Sequence, residues 1–204
     1  MITTIFFDFD GVITIDPKGS LSFANYIVQK TGLDHAFFLE KYREFGEDLL
    51  TGKKNHQDIW PELSANLGMK IDEAFIEEAF EATPINQEVV TLIKELKEQG
   101  YQIGLITDNK NDRMNSLIEF HQWADLFDVL AISAQVGSRK NTEEIYHYAL
   151  AAGKVAPADA LFIDNTLKNL EIPKKIGFQT IYFDDSQKDV AALTKELSQL
   201  IANS

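Results

Sequence analysis

The sequence predicts an α/β fold: a parallel sheet of about five strands with helices on both faces, interrupted after the first strand by an inserted helical bundle. Three observations predict it. Through the second half of the chain, apolar runs alternate with amphipathic helical stretches, the pattern of a parallel sheet. The first run, Ile5-Phe6-Phe7, is apolar at consecutive positions, as suits a strand buried on both faces. The segment from about Pro17 to Thr83 carries four helical stripes and no convincing strand, so it stands outside the alternation.

The first strand spans about residues 2–8 and stops at Asp8 and Asp10, with Gly11 just after them. Side chains two apart on a strand point the same way, so both carboxylates are expected together at the sheet edge. Their repulsion has to be offset by a cation or a shared proton. Gly11 allows a sharp turn and the close approach of a ligand. In the insert, Phe23, Tyr26 and Ile27 begin one stripe. Phe37, Phe38, Tyr42 and Phe45 make a second that runs toward Leu49. His56 to Leu67 is a third, with Ile59 and Leu63, and Asp72 to Ala82 a fourth, with Phe75, Ile76, Ala79 and Phe80. These aromatic stripes read as the bundle's own core. Turn chemistry at Asp16-Pro17-Lys18-Gly19 and at Thr83-Pro84 bounds the insert. The expected division is residues 1–15 and 85–204 for the core and 16–84 for the insert.

Beyond the insert, Gln87 to Gln99 has Val89, Val90, Ile93 and Leu96 on one stripe and ends at Gly100. The second strand, about 101–106, leads into Thr107-Asp108-Asn109, and a helix follows from Asn111 to His121. A third strand covers about 128–132, and a helix runs from Thr142 to Ala152 before Gly153. The fourth strand, about 160–163, leads into Asp164-Asn165. Then come a short helix from Lys168 to Ile176 despite Pro173, a fifth strand at about 178–183, and an amphipathic helix from Asp189 to Ala202.

The 204 residues suffice for one substantial domain or a core with a smaller insert. No apolar stretch is long enough to span a bilayer, and the start of the sequence has no secretory pattern. No membrane partner and a cytoplasmic location are therefore the expectation. The absence of cysteine excludes disulfides, thiolate catalysis and cysteine metal sites. A net charge of −13 argues against non-specific nucleic-acid binding. Its plainest consequence is solubility, and a local cation can still hold a phosphate. His35, His56, His121 and His147 lack metal-ligand spacing and read as surface or structural. No feature sets an oligomeric state.

Four segments resemble motifs of the haloacid dehalogenase-like hydrolase superfamily, in its phosphatase branch with a helical cap. Asp8-Phe9-Asp10-Gly11 resembles the first motif, Asp-x-Asp-Gly. Thr107 at the end of the second strand resembles the second, although Asp108 stands where Asn is usual. A hydroxyl there, with the amides of the next helix start, can donate to a phosphate. Gly137, Lys140 and Ile145-Tyr146 resemble the lysine motif. Asn141 and Thr142 depart from it, and Thr142 is expected to cap the helix instead. Arg139 and Lys110 compete with Lys140 for that role. Asp164 and Asn169 resemble the fourth motif, but Asn165 replaces its second acid, which predicts somewhat weaker metal binding. The four motifs converge beyond the carboxyl ends of the strands, where open α/β sheets place ligands.

The resemblance implies a Rossmann-like core and a Mg2+-dependent phosphohydrolase for a small phosphorylated metabolite. Asp8 would be the nucleophile, forming an aspartyl-phosphate, and Asp10 the general acid and base. Magnesium would be held by Asp8, the Asp10 backbone carbonyl and Asp164, with Asn165 and Asn169 around it. Thr107, Asp108 and Lys140 would hold the phosphate oxygens. The insert would be a mobile cap that selects the substrate, through residues such as Arg43, Lys53 or Lys54. A phosphomutase would use the same core residues. A catalytically weak binding or regulatory relative would fit the departures at Asp108, Asn141 and Asn165. A dehalogenase of this family needs no metal and lacks the second carboxylate, so Asp10 speaks against it.

Overall fold

The computed structural model describes residues 1–203. Between the first and second strands, β1 (Thr4–Phe7) and β2 (Gln102–Thr107), lie six helices. These are α1 (Gly19–Thr31), α2 (His35–Arg43), α3 (Gly46–Leu50), α4 (His56–Asn66), α5 (Ala74–Glu81) and α6 (Gln87–Glu98). After β2 come α7 (Asn111–Phe120), β3 (Val129–Ile132), α8 (Ser133–Val136) and α9 (Glu144–Gly153). The chain closes with β4 (Ala160–Asp164), α10 (Glu171–Ile176), β5 (Gln179–Tyr182) and α11 (Val190–Ala202). All five strands pair in parallel in the order β3-β2-β1-β4-β5, so β1 is central. None of the helices among the described residues is long and apolar enough to cross a membrane.

The alternation along each strand feeds two apolar layers. Ile5 and Phe7 join Ile103, Leu105, Leu161 and Ile163 beneath α6, α7 and α11. Phe6 joins Ile106 and Phe162 on the other face, under α9 and α10. Phe6 lies opposite Gly104 in the register, and a side-chain carbon at Gly104 would fall 2.5 Å from its ring. The glycine makes room for the central phenylalanine.

Three local expectations change. The second stripe of the insert breaks at Glu44 and Phe45, so the insert holds five helices rather than four. Gly46, a poor helix former, opens the new helix. Thr142 does not cap α9: its hydroxyl turns back to the Arg139 carbonyl at 3.2 Å, and Glu143 takes the cap position. The stretch from Lys168 to Ile176 divides into a tight turn, Leu167–Leu170, and α10. Pro173 then sits in a first helical turn, where its missing N–H is not needed.

The insert has an apolar cluster of its own, built on Phe23, Phe38, Tyr42, Trp60, Leu63 and Phe80. Its two connections run antiparallel. Thr14 bridges Ile85, the Ile15 N–H donates to the Pro84 carbonyl at 2.9 Å, and the Asn86 N–H donates to the Ile13 carbonyl at 2.9 Å. Helix α7 of the core receives the bundle. The Ser116 hydroxyl donates to Glu77 at 2.7 Å. The backbone N–H and ring Nδ1 of His56 both lie 2.7 Å from Asp112 Oδ2, and Nε2 lies 2.7 Å from the Tyr42 hydroxyl. A neutral imidazole satisfies all three: Nδ1–H donates to Asp112 and Nε2 accepts from Tyr42. His56 is structural, and it stands at the joint between bundle and sheet domain.

Burial is the largest influence on His56 and holds its pKa below the ordinary 6.5, with the Asp112 hydrogen bond offsetting only part of it. Below pH 6.5 the unfolded chain binds a proton that folded His56 refuses, so stability is lost as pH falls through that range. His121 shifts the same way, so the informative quantity is a difference. Urea unfolding of the protein and of His56→Gln across this range should show a shallower loss on acidification in the variant. Equal slopes would remove His56 as the source.

Candidate active site

Asp8 follows β1 directly, and its N–H donates to the Ile163 carbonyl at 2.8 Å, so the sheet itself fixes its backbone. Its Oδ1 accepts from the Phe9 N–H at 2.7 Å, and Oδ2 lies 2.8 Å from the Lys140 ammonium. Beyond Asp8 the chain makes one tight turn, closed by the Thr14 N–H on the Phe9 carbonyl at 3.0 Å. Gly11 supplies the left-handed conformation at its centre, φ +85°. A side-chain carbon at Gly11 would lie 2.1 Å from the Asn165 amide nitrogen, so Asn165 packs directly over it.

Asp164, at the end of β4, is fully buried. Its Oδ1 accepts from the Thr166 N–H at 2.7 Å, and the Asn169 amide donates to both carboxylate oxygens at 3.2 and 3.1 Å. Oδ2 accepts from Lys140 Nζ at 2.7 Å. Lys140 thus sits between Asp8 and Asp164, a position that neither Arg139 nor Lys110 occupies. The loop carrying it is held by Asp108, whose carboxylate accepts from the Lys140 N–H at 2.8 Å and from Arg139 Nε at 3.2 Å. With both oxygens so engaged, Asp108 has its backbone amide left for an anion. Burial opposes the Lys140 charge, but the two carboxylates overcome it and raise its pKa. Asp8 is pushed up to about 7, first by burial and further by Asp164, with Lys140 pulling the other way. Two buried carboxylates share one ammonium and lack countercharge.

Asp10 does not share that partner. Arg113, on α7 and 1 % exposed, grips it with both arms: Nη2 to Oδ1 at 2.9 Å and Nη1 to Oδ2 at 3.0 Å. Asn109 completes the set, accepting from Arg113 Nη1 at 2.9 Å and donating to Asp10 Oδ2 at 3.1 Å. Burial would raise the Asp10 pKa, but the charge and hydrogen bonds of Arg113 outweigh it and lower it. The two carboxylates expected side by side are therefore parted into two ion pairs. Arg113 was not visible as a site residue. The local signal was its position in the first turn of α7, four residues after Asn109 in the loop that follows β2. Gly19 permits the arrangement, since a side-chain carbon there would fall 2.4 Å from Arg113 Nη1 and 2.8 Å from Asp10 Oδ2.

A cavity of about 280 Å³ opens over these groups and reaches Asp8, Asp10, Thr107, Asp108, Lys140, Asn165 and Asn169. The Thr107 hydroxyl makes no hydrogen bond among the described residues, which leaves it for a ligand. Of the insert, Leu50 and the Pro17–Ser20 segment line the cavity, whereas Arg43, Lys53 and Lys54 do not. Lys54 pairs with Asp48 instead. The donors suit magnesium, a hard cation that takes one or two carboxylates and otherwise water: Asp8 reaches the cavity, and Asp164, buried behind it, shares the single Lys140 ammonium with it. Among the described residues no three acidic or histidine side chains converge into a closed metal cage, and Asn165 adds no charge.

The Asp10–Arg113 pair is a buried ion pair, and removing one partner strands the other charge. Arg113→Met should lower stability by about 3–5 kcal/mol at neutral pH. The double variant Asp10→Asn/Arg113→Met should regain most of that loss. Urea titrations of the single and double variants measure the coupling, and strictly additive effects would refute it.

The chain is similar to known proteins along nearly its whole length. The model of the haloacid dehalogenase-like hydrolase family matches residues 5–183. The chain is 28% identical to sesquiterpene phosphatase astK of Aspergillus oryzae over 160 residues, 78% of this chain and 80% of that protein. It is 28% identical to D-ribitol-5-phosphate phosphatase of Bacteroides thetaiotaomicron over 197 residues, 88% of this chain and 91% of that one. Among solved structures, a HAD family enzyme of Bacteroides thetaiotaomicron in complex with magnesium and inorganic phosphate superposes with a TM-score of 0.71 at 17% identity, covering 89% of this chain and 94% of that one. With its central Asp8 strand, its all-parallel sheet and a family match over residues 5–183, the chain belongs to the haloacid dehalogenase-like hydrolases.

Proposed function

We propose that the protein is a magnesium-dependent phosphatase that cleaves a small phosphate monoester through an aspartyl-phosphate, with residues 16–84 as its cap. The observation that carries this reading is Lys140 set between Asp8 and Asp164, lining one cavity with Asp8 and with a Thr107 hydroxyl that has no partner among the described residues. Two relatives of similar length are phosphatases by name. The intact charge arrangement supports an enzyme over a silent binding protein.

In the first step an Asp8 carboxylate oxygen bonds to phosphorus as the bond to the ester oxygen breaks. Lys140 and Thr107 hold the transferring oxygens, and Lys140 offsets the repulsion between carboxylate and phosphate. Asp10 gives a proton to the leaving oxygen, then takes one from the water that opens the acyl phosphate. Arg113 keeps Asp10 ionised in the resting arrangement, so Asp10 acts first as an acid only once that pair loosens and it takes up a proton. Asp8, the Asp10 carbonyl and Asp164 would hold magnesium, whose chemistry there would be to supply positive charge to the transferring phosphate. Leu50 and Pro17–Ser20 of the insert line the cavity, which supports a cap that excludes bulk water.

Asp8→Asn should lower phosphate release from para-nitrophenyl phosphate by at least ~10³-fold, as loss of a nucleophile does. Its melting temperature should hold or rise, because a buried and crowded carboxylate is neutralised. Activity of the unaltered protein should vanish in excess chelator and return with added magnesium. Full turnover in chelator would remove the metal from the proposal, and a normal rate in folded Asp8→Asn would remove the nucleophile.

A further inference from the structure

Most charged groups that line the cavity have partners. Asp8 pairs with Lys140, Asp10 with Arg113, and Asp108 with Arg139. Lys110 and Lys18 also line it, and neither ammonium has a hydrogen-bond or ion-pair partner among the described residues. Lys18 is exposed at the mouth. Lys110 is only 8 % exposed, at the cap position of α7. Burying an ammonium without a partner is unfavourable, and in a chain of net charge −13 a carboxylate partner would be easy to supply. Burial, then nearby Arg113, pushes the Lys110 pKa down to about 8, which leaves it mostly charged near neutrality.

Both lysines lie near Asp10. The carboxylates that feel the Lys110 charge are Asp10, Asp112 and Asp108. Lys18 adjoins Gly19, whose backbone lies against Asp10. Asp10 is the group that serves the leaving oxygen in the reaction proposed above. We propose that Lys110, with Lys18 at the mouth, receives a second anionic group carried by the leaving part of the substrate, either a carboxylate or a second phosphate. The inference rests on the phosphatase reading for which side of the cavity holds the leaving group. A cavity of about 280 Å³ lies at the small end of ligand pockets, so both anions belong to one small molecule.

Three esters that share their reacting end test this: propyl phosphate, the phosphate ester of hydroxypropionate, and the bisphosphate of propanediol. The first has a neutral far end, and the other two offer a carboxylate and a phosphate. At least one anionic ester should exceed propyl phosphate in kcat/KM by about tenfold or more, the scale of a charge-assisted hydrogen bond. Whichever is preferred names the second anion. Lys110→Met should erase the preference mainly through KM, and Lys110→Arg should retain part of it. Lys110→Met should also raise the melting temperature, because the unpartnered charge is gone. Calorimetric binding of the same esters to Asp8→Asn, with and without Lys110→Met, reads the subsite without turnover. A preference in binding but no hydrolysis by the unaltered protein would refute the phosphatase reading and leave the subsite standing. Equal affinity for all three esters, or a preference that survives Lys110→Met, would overturn the subsite.

Discussion

The ammonium of Lys140, 2.8 Å from Asp8 and 2.7 Å from Asp164, is the interaction around which the site is organised. The two carboxylates stand at the ends of the adjacent parallel strands β1 and β4, where strand pairing forces them together. Their repulsion is tolerable only with a cation between them, and that cation arrives on a loop from elsewhere in the sequence. Much of the surrounding detail serves to hold it. Asp108 fixes the loop from one side. The Tyr146 hydroxyl lies 3.0 Å from the Lys140 carbonyl and 2.9 Å from that of Asn169, which in turn orients Asp164. These supports fix the place of the lysine, and with it the balance of charge between the two strands.

Helix α7 links this centre to the helical insert. Within its first two turns it anchors His56 through Asp112, grips Asp10 through Arg113 and meets Glu77 through Ser116. Asp112 and Arg113 are neighbours in sequence, so the contact that seats the bundle and the contact that orients Asp10 share one rigid element. A shift of the bundle on α7 is felt at Asp10 through backbone, without an intervening loop.

Much of the fold was legible because its signals are local. Ile5-Phe6-Phe7 and Ala160-Leu161-Phe162-Ile163 are apolar at every position because both sheet faces are covered. Gly100 and Gly177 mark helix ends by their left-handed backbone, whereas Gly153 stays inside α9 and Lys154 takes the left-handed position after it. Asp8, Asp10, Thr107 and Lys140 line one cavity, and Asp164 joins them from behind through Lys140, because each follows a strand or precedes a helix. Arg113 escaped because its partner, Asp10, is 103 residues away. In a helical pattern an arginine reads as a solvent residue unless its partner is already known. Thr142 misled for a related reason: its hydroxyl found the Arg139 carbonyl, and a tertiary loop shape overrode a local capping preference. The break between α2 and α3 lay hidden because Leu49 keeps facing the same apolar cluster from a new helix.

The antiparallel clasp at Thr14 and Ile85 bears on how such a chain reaches its native state. The two ends of the insert are joined by backbone hydrogen bonds before either enters the bundle. Residues 16–84 therefore form a closed loop on the sheet, and the entropy lost in closing a loop grows only with the logarithm of its length. Pairing of β1 with β2, distant in sequence, becomes a contact between segments that the clasp already holds near one another. The bundle can gather its aromatic cluster as a local event, with contacts of short sequence separation, and such contacts form fast. Changes in the length of the bundle would then alter the folding rate little, whereas disrupting the clasp would slow formation of the central sheet.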